Sequence, residues 1–189
     1  RTRHDKEPRI DNRTRKLVLL AKDIDGYNNL IALVTKSNLE GFYYRPRIDR
    51  ELIEQHKKGL IAILPSFGGE AINAIRAGNK TEAEDFIKYY RGIFNEGMTD
   101  EESSDPEKSN VFIEITRHGD IENHNQGMDR LIEIGQEQHV PIVAAHNIYY
   151  LDKDDKKART TLLSVQKGFS SGPVEDDEGD FSFISPDEA

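Results

Sequence analysis

Four short apolar runs, separated by segments with helical spacing, most restrict what this chain can fold into. Each run has the length and composition of a buried β-strand. The runs are LVLLAK (17–22), LIAIL (60–64), VFIEIT (111–116) and PIVAA (141–145). Between them, apolar residues recur three and four positions apart, which is the spacing of the buried face of an α-helix. Because strands that alternate with helices form parallel βα units, the sequence predicts an α/β fold with parallel strands.

The composition excludes several classes of protein. The chain has 189 residues, a formal net charge of −9 and no cysteine. No apolar run approaches the roughly 20 residues that a membrane-spanning helix needs. The absence of cysteine excludes disulfides and thiolate metal sites, and it is typical of a cytoplasmic protein. The negative charge disfavours a surface that binds the phosphate backbone of DNA, because such affinity depends on clustered Lys and Arg.

Three stretches lack the apolar spacing of strands and helices. The first 16 residues are polar and predict an exposed loop, and residues 96–110 predict a flexible acidic loop. The stretch GFSSGPVEDDEGD (168–180) is rich in Gly, Ser and Asp, and the short run FSFI (181–184) follows it. The predicted helices and the four predicted strands therefore lie between residues 17 and 166.

Polar and aromatic residues follow the last predicted strand abruptly, in the run VAAHNIYYL (143–151). The carboxyl end of a strand is where α/β folds place their chemistry. The amide of Asn147 carries no charge, and the phenol of Tyr149 stays protonated near neutral pH. Neither side chain is therefore a good ligand for a divalent cation.

Several blocks of the sequence occur in the order found in one protein family. The most specific is LVLLAKDIDGYNNLIALVTKSNLEGFYYRPRID (17–49), because of its length and its unusual EGFYYRPRID ending. The others are GLIAILPSFGGE (59–70), IEITRHG (113–119), VAAHNIYYL (143–151) and ISPDEA (184–189). Together these blocks resemble the PHP (polymerase and histidinol phosphatase) domain in the alpha subunit of bacterial DNA polymerase III. The resemblance covers nearly all of residues 1–189 and implies a partial PHP domain.

This resemblance implies a distorted relative of the (β/α) barrel, with about seven strands when complete. The family opens with a histidine-x-histidine pair, and its second strand ends in an ITDH-like motif. Neither motif has a counterpart here, and the chain begins at Arg1 instead of Met. We therefore expect a partial barrel, the C-terminal two-thirds of the domain, in which the apolar faces of strands 17–22 and 142–145 are only partly covered.

The resemblance also places four ligand positions of metal-binding members at residues that bind metals poorly. Active members often have histidine before LVLLAK and cysteine in the GLIALSGCLGGE-like block, and aspartate and histidine in the last motif. This chain has Lys16, Ser66, Asn147 and Tyr149 at those positions. A lysine ammonium repels a cation, and a serine hydroxyl is a weak ligand without a carboxylate partner. We expect no metal, no cofactor and no catalytic residue in this segment.

A residual polar cluster is predicted at the strand ends. His118 follows the third strand beside Arg117, a pair that suits phosphate binding or a polar network, and His146 precedes Asn147. The alternative for His118 is a structural histidine that hydrogen-bonds across the mouth of the barrel. Because carboxyl ends of parallel strands share an edge, we expect Ser66, His118 and Asn147 to converge on one rim. The other histidines, His4, His56, His124 and His139, are expected to have no specific role.

By resemblance, the parent protein is a DNA-directed DNA polymerase, a nucleotidyltransferase of DNA replication with magnesium ions in a separate polymerase domain. The segment is expected to be a scaffold for the rest of the alpha subunit and a docking site for a proofreading exonuclease. It would meet DNA only through the parent protein. Two alternatives stay open. One is a metal-dependent phosphoesterase or 3′–5′ exonuclease, and the other is a free-standing nucleic-acid-binding module.

Overall fold

The computed structural model describes residues 2–11, 14–118, 120–167 and 179–184, in which strands alternate with helices. The strands are β1 (Val18–Ala21), β2 (Leu60–Leu64), β3 (Val111–Ile115) and β4 (Ile142–Ala144). The helices are α1 (Ile24–Leu39), α2 (Arg50–Gln55), α3 (Glu70–Arg76), α4 (Lys80–Phe94), α5 (Asp100–Ser104), α6 (His124–Glu137) and α7 (Lys156–Lys167). All four predicted apolar runs form strands, which confirms the α/β class.

The four strands form one sheet in the order β1-β2-β3-β4, and three of them are parallel. The prediction of parallel strands is wrong for β1, which pairs antiparallel with β2. Two helices, α1 and α2, connect these strands, so the chain returns to the end of the sheet where β1 stops. Gly26, in the first turn of α1, lies so close to Gly59 that a Cβ on Gly26 would be 1.8 Å from the Gly59 carbonyl oxygen.

Helices cover one face of this sheet and form the core with it. Alternate residues of β2 and β3 are buried, as expected for strands with one face turned to the helices. The core joins these strand residues to apolar side chains of α1, α2, α3, α4 and α6. Its fully buried large side chains include Leu52, Ile72, Ile87, Ile113, Met128, Leu131 and Ile134.

The opposite face of the sheet is also apolar, but it is less covered. Val18 pairs with Ile63, and Ile63 pairs with Phe112, so the three lie in one row across the sheet. Val18 is 38% exposed and Leu20, two residues on, is 48% exposed. This open face agrees with the expectation for strand 17–22. The sheet is open within the described residues, so a closed barrel is not part of the observed fold.

The stretch 96–110, predicted as a loop throughout, contains helix α5. Thr99 begins this helix with a capping box, in which its hydroxyl and the Glu102 side chain each accept a backbone N–H. Ser103 and Ser109 are buried, and the Asn95 amide donates hydrogen bonds to both hydroxyls at 2.7 and 3.0 Å. Small hydrogen-bonded side chains hold the segment in place, and apolar spacing does not detect such contacts.

The N-terminal segment is mostly exposed, but the guanidinium of Arg47 ties it to the domain. Arg47 donates hydrogen bonds to the carbonyl oxygens of Arg3, Asp5 and Asp11 at 2.8 to 2.9 Å. Residues 168–178, 185–189 and Gly119, which belong to three of the sequence blocks discussed above, lie outside the described residues. No helix in the described part of the chain is both long and apolar enough to span a membrane.

Candidate functional site

The ends of the strands bring the predicted site residues to one rim of the sheet. Ser66, His118 and Asn147 follow β2, β3 and β4, which are parallel and therefore end at the same edge. Because β1 is antiparallel, Lys16, two residues before the strand, lies at this edge too. The Lys16 backbone N–H donates to the carbonyl of Gly68 at 2.8 Å. The expected convergence is therefore present, and the antiparallel strand extends it to Lys16.

A cleft of about 500 Å³ opens at this rim. Three of the four positions expected to bear metal ligands in the family, Lys16, Asn147 and Tyr149, line it. Its other lining residues are Phe67, Arg76, Ile121, Glu122, Arg159 and Phe181. Ser66, the fourth position, is completely buried and lies outside the lining.

Ser66 belongs to a hydrogen-bond network that links the ends of β2 and β3 to helices α6 and α3. Its hydroxyl donates to Oε1 of Glu114 at 2.5 Å and lies 3.2 Å from the Thr116 hydroxyl. The Thr116 hydroxyl is 2.9 Å from Nε2 of His124, and Nδ1 of His124 is 3.2 Å from the Arg76 guanidinium. Ser66, Thr116 and His124 are each no more than 1% exposed. The buried polar groups of Ser66, Thr116 and His124 are therefore all hydrogen-bonded.

The chemistry of its donors and acceptors determines which group donates each hydrogen bond in this network. Arg76 has only N–H donors, so Nδ1 of His124 accepts and its Nε2 carries the hydrogen of a neutral imidazole. Nε2 then donates to Thr116, Thr116 donates to Ser66, and Ser66 donates to the carboxylate of Glu114. Burial lowers the pKa of His124, and electrostatic interactions with His118 and with the Arg76 guanidinium lower it further, in agreement with a neutral ring. The last acceptor of the network is therefore the Glu114 carboxylate, which accepts the Ser66 hydroxyl.

His118 is packed among aromatic rings beside this hydrogen-bond network. It is 3% exposed, and its ring lies 4.9 to 5.6 Å from the rings of Phe67, His124, His146 and Phe181. Its Nε2 atom is buried and has no hydrogen-bond partner among the described residues. Burial lowers the pKa of His118, and the neighbouring His146 adds to this effect. These contacts describe a packed histidine. The alternative interpretation of His118 also expected a hydrogen bond across the mouth of the barrel, and Nε2 makes none with the described residues.

The predicted residual cluster of Arg117, His118 and His146 is only partly assembled. His118 and His146 stack, with ring centroids 5.3 Å apart, and Nε2 of His146 lies 3.0 Å from the Ser182 carbonyl oxygen. Arg117 does not join them, because its guanidinium pairs with Asp129 at 2.8 Å on the surface. Alternation along the strand end turns Arg117 outwards where His118 turns inwards.

His124 is one of the residues of this network that the sequence interpretation missed. It was expected to have no specific role, yet it is completely buried and links Arg76 to Thr116. A signal was present in the sequence. His124, Met128 and Leu131 have the i, i+4, i+7 spacing of a buried helix face, and all three are buried in α6.

The side chains at the rim do not fit a catalytic divalent metal centre. An ammonium, an amide and a phenol line the cleft where carboxylates and imidazoles would be needed. Ser66 donates to the nearby carboxylate of Glu114. Across the described residues, no group of three or more His, Cys, Asp or Glu side chains is placed to hold a metal ion.

Comparison with known proteins places the chain in a family. The PHP domain matches residues 3–118. The chain belongs to the PHP domain family. The match includes β1, β2 and β3 and ends at His118, so it includes Lys16, Ser66 and His118 of the rim but not Asn147.

Similar proteins are named DNA polymerase III subunit alpha. That of Treponema pallidum is 33% identical over 159 residues, which cover 84% of this chain and 12% of the relative. That of Deinococcus radiodurans is 35% identical over 150 residues, covering 79% of this chain and 10% of the relative. That of Aquifex aeolicus is 30% identical over 192 residues, covering 99% and 15%. The chain thus spans between 10% and 15% of the length of these relatives.

Proposed function

We propose that this PHP region is a non-catalytic, structural part of a DNA polymerase III alpha subunit. In this proposal it supports the rest of the subunit and offers a docking face to a proofreading exonuclease. Nucleotide transfer, with its magnesium ions, belongs to a separate polymerase domain. The similarity to proteins named DNA polymerase III subunit alpha supports the choice of parent protein.

The chemistry of the rim is the observation that carries this proposal. A metal-activated water would need several anionic or imidazole ligands around one point. Lys16 instead contributes a positive charge to the cleft, and Asn147 contributes a neutral amide. The buried hydroxyl of Ser66 donates its hydrogen bond to Glu114. Where active members of the family have their ligands, this rim thus has an open cleft lined by an ammonium, an amide and a phenol, and a serine that is hydrogen-bonded beneath it.

The open face of the sheet supports the structural part of the proposal. Val18 and Leu20 leave apolar surface on a strand at the edge of the sheet. Such surface favours association with further protein. Strands elsewhere in a longer subunit would cover this face and complete the barrel. The alternative of a free-standing nucleic-acid-binding module receives no support from the net charge of −9.

The rival assignment is a metal-dependent phosphoesterase or 3′–5′ exonuclease, and metal analysis separates the two. The chain, purified without chelator, should contain much less than one equivalent of zinc or manganese. With labelled single-stranded DNA and added manganese, it should release no nucleotides above background. Bound metal and steady nucleotide release, both lost in His118→Ala but kept in His139→Ala, would establish the exonuclease. His139 is a matched control because its side chain is 45% exposed and lies on the surface after α6.

The docking part of the proposal is tested in the full-length alpha subunit. Charge substitutions on the exposed surface of this region, such as Val34→Lys on α1, should weaken co-elution with the proofreading exonuclease subunit if that surface docks it. Val34 is 60% exposed, so the substitution disturbs little of the core. Exonuclease binding that survives removal of the whole PHP region would place the docking site elsewhere.

A further inference from the structure

A second cleft, of about 320 Å³, lies at the edge of the sheet opposite the rim. This edge holds the amino ends of β2 and β3 and, because β1 is antiparallel, the carboxyl end of β1. The lining of the cleft includes three lysines, Lys22, Lys57 and Lys58, and two carboxylates, Asp23 and Glu96. Its residues are different from those that line the cleft at the rim.

Lys22 is held firmly at this edge. Its backbone N–H donates to the Gly59 carbonyl at 2.8 Å, and its Nζ donates to Oδ1 of Asn110 at 3.1 Å. Asn110 is itself fixed, because its side-chain amide donates to the Phe94 carbonyl and its backbone N–H donates to Oδ1 of Asn95. Within the described residues, no carboxylate forms an ion pair with the Lys22 ammonium. Its charge is therefore available to an anion.

The other two lysines of the cleft already bind carboxylates. Lys58 pairs with Asp25 at 2.8 Å, and Lys57 donates to Oε2 of Glu96 at 2.5 Å. The hydrogen bond from Lys57 lowers the pKa of Glu96, so this carboxylate is charged at neutral pH. The Glu96 side chain is 72% exposed, and an exposed ion pair contributes little to stability. An incoming carboxylate can therefore replace Glu96 beside Lys57 at little cost.

Apolar side chains form the rest of the lining. Leu60 begins β2, Ile93 and Phe94 end α4, and Met98 follows in the chain. Apolar surface beside a cation suits an anion that carries an apolar group, because a compact inorganic anion would leave that surface without a partner. The volume of the cleft is at the lower end of the range of small-molecule sites.

We propose that this cleft binds a carboxylate attached to a compact apolar group, with Lys22 and Lys57 as its cationic partners. An ammonium donates charge-assisted hydrogen bonds to carboxylate oxygens. The carboxylate belongs either to a free small acid or to an acidic residue beside an apolar one in a peptide. This inference goes beyond the structural role proposed above and does not depend on it, because it uses neither the rim nor the open face of the sheet.

Titration of the isotope-labelled chain, followed by NMR, tests the proposal. Isocaproate, its neutral amide and acetate are added separately at constant pH and ionic strength. We expect saturable shifts of the backbone amides of Lys22 and Asn110 with isocaproate, about tenfold weaker binding of acetate, and no binding of the amide. Acetyl-glutamyl-leucinamide distinguishes the two sources. Tighter binding of this peptide than of isocaproate would assign the site to a peptide, and weaker binding would assign it to a free acid.

Three variants with opposite expected effects make the result specific. Lys22→Gln should weaken isocaproate binding about tenfold, because a hydrogen bond to a charged group is lost. Glu96→Gln should strengthen binding by up to about fivefold, because it removes the carboxylate that competes for Lys57. Lys88→Gln removes a positive charge from an exposed position on α4 and should leave binding unchanged. Circular dichroism of the variants confirms that the fold is retained.

Four results would each overturn the proposal. They are shifts that do not saturate, equal binding of isocaproate and its amide, equal effects of Lys22→Gln and Lys88→Gln, and a Glu96→Gln variant that binds no more tightly than the unaltered chain.

Discussion

The two faces of the sheet are both apolar, yet only one of them has a complete protein environment. On the helix-covered face, Ala62 and Ile113 are fully buried. On the open face, Val18 and Leu20 keep 38% and 48% of their surface exposed. The same four strands supply both faces, so strand propensity does not distinguish them. The difference indicates that the segment has its own core, while its second face is suited to further protein.

The largest expected effect is a difference in stability between two isoleucine-to-alanine variants, one on each face of the sheet. Ile113→Ala should lower the free energy of unfolding by about 2–5 kcal/mol, because it leaves a cavity in the packed core. Ile63→Ala removes the same atoms from the partly covered open face and should cost about 1 kcal/mol. Urea unfolding followed by circular dichroism measures both. Equal losses would contradict the distinction between the faces.

The hydrogen-bond network is buried, so removing a single hydroxyl from it should lower the stability of the fold. Thr116→Val keeps the shape of the side chain but removes the hydroxyl that links His124 to Ser66. It should cost about 1–3 kcal/mol, since a buried imidazole N–H loses its acceptor. Thr161→Val is the matched control, because among the described residues the exposed Thr161 hydroxyl bonds a carbonyl of its own helix. An equal loss of unfolding free energy in the control would show that the hydrogen-bond network does not stabilise the fold.

The sequence predicted the strands well because the four runs are short, mostly apolar and separated by longer segments that are polar or have helical spacing. It failed for the direction of β1, because direction depends on the path of the connecting helices, and no local pattern records that path. Gly26 and Gly59 mark the contact that returns the chain, but only after folding are they neighbours.

The site was predicted in position but not in composition. Ser66, His118 and Asn147 were expected to converge on one rim, and the strand ends meet there. Lys16 was not part of that expectation and joins the rim because β1 is antiparallel. Glu114 and Thr116 lie within a predicted strand and carried no separate signal. Their role depends on Ser66, 48 and 50 residues away in the sequence, and such pairings are set by strand register.

The buried histidines make stability depend on pH. The pKa values of His118 and His124 are lowered in the folded protein, chiefly by burial, so the unfolded chain binds protons more readily. Their contribution to stability is complete above the unfolded pKa of about 6.5 and is lost as the pH falls through the folded values. Because the direction is the same for both rings, their effects add, and acid should destabilise the fold.

Urea unfolding at several pH values tests this dependence. The free energy of unfolding should fall between about pH 7 and pH 5, where the unfolded histidines become protonated. In His118→Phe, whose new ring keeps the contacts with Phe67 and Phe181, the fall should be smaller. An unchanged slope in this variant would show that His118 does not titrate on unfolding.

The smallest effect on stability is expected on the open face, where the effect on association should be clear. Leu20→Lys places a charge on exposed apolar surface of the edge strand, and it should change the free energy of unfolding by less than about 0.5 kcal/mol. Sedimentation equilibrium should show less self-association than in the unaltered chain, because charged residues protect the edges of sheets. Val34→Lys, on the exposed side of α1, separates the two surfaces. Loss of association in Val34→Lys alone would assign the contact to the helix, and would mean that the open face does not drive association in the isolated chain.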